Sequence, residues 1–151
     1  VLPLNIHGTA IELDGCGVLI RGPSGAGKSL LALALLDRWE GRKLSATLVA
    51  DDRVLVSDDG NGLHLAVPTI IAGQIELRGR GIVNRPHRDG VTLHLIVDLV
   101  PDLIRMPEQT AFTATLLGHE VSRVPVPTGR AVDLGHKVLL VAQAIASLRR
   151  P

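Results

Sequence analysis

Apolar residues in this chain fall in short continuous runs more often than in helical stripes. Runs of this kind suit strands buried on both faces. The pattern predicts strands over residues 17–21 (GVLIR), 46–50 (ATLVA), 54–56, 63–67, 91–100 (VTLHLIVDLV) and 121–126. The turn residues at 58–62 (DDGNG) join 54–56 and 63–67 into a hairpin with a long loop. Residues 1–13 alternate loosely around Gly8 and read as a hairpin or two edge strands, while 112–117 suits no single class. Helices are predicted over 30–39 (LLALALLDRW), stopping near Glu40-Gly41, and over 138–148 (VLLVAQAIASL). Arg149 and Arg150 would close the second helix where cations are favoured. Strands outnumber helices and regular βαβ alternation is absent, so the expected fold is a mixed sheet flanked by few helices.

Between the first buried run and the first helix lies Gly22-Pro23-Ser24-Gly25-Ala26-Gly27-Lys28-Ser29. This is the spacing of a phosphate-binding loop: Gly, four residues, then Gly-Lys-Ser. Glycines let successive backbone N–H groups turn toward an anion with no Cβ in the way. Lys28 brings a positive charge within reach of the outer phosphates, and the Ser29 hydroxyl is placed to ligate Mg²⁺. A strand before and a helix after put the positive end of the helix dipole at the phosphates. Residues 22–29 are therefore the expected nucleotide-binding segment.

A metal on that loop calls for carboxylates. Asp51-Asp52 ends the buried run 46–50, which would deliver one or both beside Ser29. Consecutive side chains leaving a strand point in opposite directions. One carboxylate can then serve the metal or nucleophile while the other supports backbone or a basic group. An Asp-rich turn between strands is the plainer alternative. A second candidate is Glu76-Leu77-Arg78-Gly79-Arg80-Gly81, where a carboxylate and a guanidinium two apart share a strand face. It reads equally as a metal-ligating Glu beside a phosphate-binding Arg or as a surface ion pair.

The segments GPSGAGKS, LVADD and ELRGRGIVN, in that order, resemble the catalytic domain of the bacterial HPr kinase/phosphorylase family, in a short form without its N-terminal domain. The similarity runs from about His7 to Arg130. It implies a single domain over 1–151, an α/β, mixed-sheet P-loop nucleotide-binding fold related to phosphoenolpyruvate carboxykinase. It also implies ATP and Mg²⁺ as cofactors and a serine of the phosphocarrier HPr as acceptor, in control of carbohydrate metabolism. The reverse phosphorolysis would consume phosphate and give pyrophosphate. By the same resemblance His7, Lys28, Asp52 and Arg105 are catalytic, with Asp52 the general base and then the general acid. Ser29 and Glu76 match the magnesium ligands, and the loop 125–130 matches one implicated in dephosphorylation. The family assembles as hexamers. Residues 85–90 (RPHRDG) are shorter and more polar than the family's insertion there, so a smaller or weaker homo-oligomer is expected.

Composition narrows the alternatives. The chain has 151 residues, one Trp, one Phe, no Tyr and a formal charge of +1. Base stacking and a basic footprint are thus both missing, which speaks against nucleic acid. A lone cysteine, Cys16, excludes an internal disulfide and suits a small core residue. No secretory signal and no apolar run near 18 residues is present, so a cytoplasmic protein with no membrane partner is expected. Two other functions remain open: an ATP-sensing regulatory domain in a phosphorelay without transfer of its own, and a small-molecule P-loop kinase. The short segment 85–90 favours the first, and absent βαβ alternation argues against the second.

Overall fold

In the computed structural model, which describes residues 3–68 and 73–148, the apolar runs become strands of one mixed sheet. β1 (Leu4–Leu13) and β2 (Cys16–Arg21) form an antiparallel hairpin. Its turn is Asp14-Gly15, both at positive φ (50° and 84°), the backbone of a two-residue type I′ connection. The hairpin expected within residues 1–13 is therefore displaced: its described part is one ten-residue strand. Gly8 is a site of close approach rather than a turn, since a Cβ there would lie 2.7 Å from the Ile20 carbonyl oxygen. The loose alternation arises because residues 8–13 are buried on both faces.

After β2 come α1 (Lys28–Gly41), β3 (Ala46–Ala50), and the hairpin β4 (Arg53–Asp58) and β5 (Leu63–Ala66). β6 (Gln74–Leu77) and β7 (Gly81–Asn84) make a separate two-stranded sheet. β8 (Gly90–Val100) follows, then a 3-10 turn at Gln109–Phe112, β9 (Thr113–Leu116), β10 (His119–Pro127) and α2 (Leu134–Leu148). β9 resolves the ambiguous stretch 112–117 as the partner of β10. α2 starts four residues before the predicted 138 because Asp133 Oδ1 accepts the His136 N–H at 2.9 Å, capping a first turn whose Gly135 and His136 hide it from the apolar pattern. Arg149 and Arg150 lie outside the described residues.

Two long strands organise the sheet. β1 pairs with β4 through Leu4–His7 and with β2 and β3 through its second half. β8 pairs with β5 at its start, then runs parallel to β2 on one side and to β10 on the other. The path β1–β4–β5–β8–β2 thereby closes back on β1. Both faces are covered. Val18 and Ile20 join Leu31, Leu35 and Leu36 of α1 and Val141 and Ile145 of α2 in one core. Leu19 turns the other way, into a second core with Ala10, Val54, Val56, Leu65 and Ile96. Cys16 belongs to the first core, as expected of a small buried residue.

Residues 85–90 are not a loose polar connection. Leu48 N–H donates to Pro86 O (2.9 Å) and Arg88 N–H to Leu48 O (3.0 Å), so the segment extends the sheet beyond β3. Arg88 also reaches Glu12, a buried carboxylate on β1 that accepts from Ser45, Thr47 and the Gly15 N–H. Burial alone would push the Glu12 carboxyl up, but those donors and the Arg88 charge outweigh it and hold it below its ordinary range.

Candidate active site

The phosphate loop leaves the end of β2 and enters α1. Gly25 (φ 79°) and Gly27 (φ 95°) take backbone angles that side chains disfavour, and the first helical bond is Leu31 N–H to Gly27 O at 3.0 Å. The first turn of α1 carries N–H groups without intrahelical acceptors, an arrangement suited to an anion. Lys28 is only 8% exposed, and its Nζ donates to the carbonyls of Gly22 and Pro23, both at 2.9 Å. It is therefore folded back on the loop and must release these bonds to reach outer phosphates. At the start of the loop, Arg21 makes a bidentate pair with Asp98 of β8 (2.8 and 2.9 Å), and Asp98 also accepts from Arg123 of β10 at 2.6 Å. Burial would raise the Asp98 carboxyl, yet the two guanidiniums together hold it below its usual range.

Pairing between β1 and β3 aligns Ala10 with Ala50, so the aspartates that follow β3 emerge beside His7 and Thr9. They diverge. Asp51 Oδ1 accepts from Ser29 Oγ (3.0 Å) and from Thr9 Oγ1 (2.9 Å). Asp52 adopts φ 78°, unusual for a residue with a side chain, and its carbonyl is held by the Gly8 N–H at 3.0 Å. That backbone turns its carboxylate outward to 74% exposure, with Oδ1 3.1 Å from His7 Nε2. The two carboxylates thus take different partners, one the loop serine and the other a basic group.

Glu76 arrives from the separate β6–β7 hairpin. Ile75 is 1% exposed and anchored in the helix-side core, so its neighbour Glu76 faces outward. One cavity of about 470 Å³ is lined by His7, Lys28, Ser29, Asp51, Asp52 and Glu76 together. Ser24, Gly25 and Gly27 of the loop also border it, as do Thr9, Leu77 and Arg78. Thr9 went unread in the sequence although it lies two residues from His7, on the same strand face.

Arg105 is not among these residues. It lines a different cavity with Arg123, His136 and the prolines of β10. The reason is topological. β8 lies between β2 and β10, and the segment after it folds toward β10 and α2. The aspartates sit on the opposite, β1–β3 side of β2.

The donor set is all oxygen: the Ser29 hydroxyl, the Glu76 carboxylate, and Asp51 bonded to Ser29. Such donors suit a hard divalent ion. Among the described residues no group of three or more His, Cys, Asp or Glu is placed to hold a metal alone. An ion here would share its coordination with phosphate oxygens. Also among the described residues, no helix is long and apolar enough to cross a membrane.

Comparison with known proteins points to one family. Residues 3–134 match the family model for the HPr serine kinase C-terminal domain. The HPr kinase/phosphorylase of Lacticaseibacillus casei is 35% identical over 141 residues, 83% of this chain and 42% of that protein. That of Mycoplasma mycoides is 28% identical over 158 residues, 95% of this chain and 47% of that one. The chain thus spans less than half the length of these curated relatives. The solved structure of the Hpr(Ser) kinase/phosphatase from Coxiella burnetii superposes with a TM-score of 0.76 at 27% identity, covering 97% of this chain and 90% of that one. With the family model spanning β1 to the start of α2 and the phosphate loop, paired aspartates and Glu76 gathered around one cavity, the chain belongs to the HPr serine kinase C-terminal domain family.

Proposed function

We propose that this chain binds Mg-ATP on residues 22–29 and transfers the γ-phosphoryl group to a serine of HPr. The observation that carries this reading is the shared cavity, in which an exposed Asp52 carboxylate stands beside His7 and across from Lys28, Ser29 and Glu76. Phosphoryl transfer needs positioning and charge stabilisation more than covalent help from the protein. Asp52 takes the proton of the attacking serine hydroxyl as the new O–P bond forms and the bond to the β-phosphate oxygen breaks. His7 Nε2 orients that carboxylate. Lys28, released from Gly22 and Pro23, meets the charge on the transferred group. Ser29 and Glu76 would hold Mg²⁺, with Asp51 orienting the Ser29 hydroxyl; the ion would neutralise phosphate charge. In reverse, inorganic phosphate attacks the phosphoserine, pyrophosphate forms, and Asp52 returns the proton to the serine oxygen.

The mixed sheet carrying the loop supports the relation to phosphoenolpyruvate carboxykinase over small βαβ kinases. The sensor reading rested on segment 85–90, which is an ordered extension beside β3 and borders none of the site cavity. HPr and ATP would be met in the cytoplasm, with the sugar phosphotransferase system as the target of control. The test is incubation with Mg-ATP and HPr, followed by intact-mass measurement. A single phosphate on an HPr serine is expected. Unmodified HPr, with ATP bound, would return the chain to the sensor class.

A further inference from the structure

The phosphate loop has a second flank. On its β8–β10 side lies a cavity of about 420 Å³, within the range of small-molecule sites. Gly27 and Leu30 line both this cavity and the catalytic one, so the two meet at the first turn of α1. Leu30 is 48% exposed at that seam, an aliphatic side chain left open where a helix begins. The walls beyond it are apolar: Ala26, Leu31, Leu99, Val132 and Leu134. Arg130 and Lys137 are its cations; the Lys137 ammonium donates to Thr128 O at 3.4 Å. Asp133 supplies the carboxylate, already bonded to the His136 N–H.

We infer that this cavity takes the nucleoside half of the triphosphate, an inference that rests on the loop binding the phosphates. A nucleotide held on the loop must send its base and ribose to one flank or the other. The catalytic flank presents His7, Asp51, Asp52 and Glu76, and the acceptor serine has to enter there. A base in that space would face three carboxylates and block the acceptor. On the other flank, aliphatic side chains of α1 and of residues 132–134 offer two apolar walls, with Arg130 and Lys137 at hand for the ribose and α-phosphate. No aromatic residue borders the cavity, so the base is held by aliphatic contact rather than by stacking.

The experiment compares Mg-ATP with Mg-tripolyphosphate by titration calorimetry, and maps Mg-8-azido-ATP photolabelling by peptide mass spectrometry. Native protein should bind ATP at least about tenfold tighter than tripolyphosphate. Val132→Phe, which enlarges an apolar wall of the second cavity, should bring ATP down to the tripolyphosphate level and leave tripolyphosphate unchanged. The label should fall within residues 128–137 or on Leu30–Leu31, and this readout decides by itself should the variant fail to fold. Equal native affinities, equal losses of both ligands in the variant, or a label on residues 7–9 or 51–52 would overturn the assignment. A native protein that binds neither ligand would instead remove the phosphate-loop reading, and the nucleoside site with it.

Discussion

Lys28 carries two duties at the scale of a single residue. Its ammonium satisfies the carbonyls of Gly22 and Pro23, and in the proposed reaction it leaves them to meet the outer phosphates. Hydrogen bonds to charged groups contribute about 1.5–3 kcal/mol. Lys28→Met should therefore weaken ATP and pyrophosphate binding about ten- to a hundredfold. Calorimetric titration checks this; unchanged affinity would contradict the loop assignment. Thr9 and Asp51 offer a subtler readout. Thr9→Val removes one of the two side-chain donors to Asp51 Oδ1 and leaves the other, Ser29. Losing one such bond should raise the KM for Mg-ATP by about threefold to tenfold with little change in kcat, since a single net hydrogen bond is worth about 1 kcal/mol. A fall in kcat at constant KM would place Thr9 in the chemistry instead. The loop, both aspartates and Glu76 were legible because each is a compact motif with a chemical reason for its spacing. Arg105 borders a different cavity, a placement hidden from the sequence because a cation on a loop carries no sign of which way the loop folds.

Glu76 shows how an element delivers a residue. The β6–β7 hairpin stands apart from the main sheet, and Ile75 is its buried anchor. Ile75→Ala should cost about 2–5 kcal/mol of stability and raise the Mg²⁺ requirement of the reaction, as Glu76 loses its fixed place. Urea unfolding and a magnesium titration of activity check the two effects. Strand β1 carries a different load, the buried Glu12. Its folded-state pKa lies below the unfolded value, so the unfolded chain binds more protons and stability rises with pH. The contribution is complete above about pH 5 and is lost as pH falls through the depressed folded value, below the ordinary carboxylate range of about 4. Glu12→Gln should therefore be less stable than native at pH 7, and the gap should narrow toward pH 3. A gap constant with pH would deny the ionised carboxylate its role. Strands with both faces buried, such as β2 and β3, were legible as apolar runs. β1 was not, because Gly8 resembles a turn while serving as a close approach to Ile20, and the true turn signal is Asp14-Gly15.

Across the whole molecule, the site forms where three separately connected parts converge: the loop after β2, the turn after β3, and the β6–β7 hairpin. No pattern of apolar residues reveals that β1 links the first two by pairing with both β2 and β3. The motifs could thus be read individually, while their assembly around one cavity required the sheet. That convergence is the basis of the central claim, that Asp52 handles the serine proton while other groups hold the nucleotide. Asp52→Asn keeps the size and much of the hydrogen bonding of the side chain but removes its basicity. Loss of a general base lowers the rate by about 10²–10⁴-fold. The decisive measurement is single-turnover phosphorylation of HPr by Asp52→Asn, paired with its Mg-ATP affinity and with phosphorolysis of phospho-HPr. The account predicts that both directions of transfer fall by that factor while ATP affinity stays within about threefold of native. Transfer at the native rate would contradict it and move the proton acceptor away from Asp52.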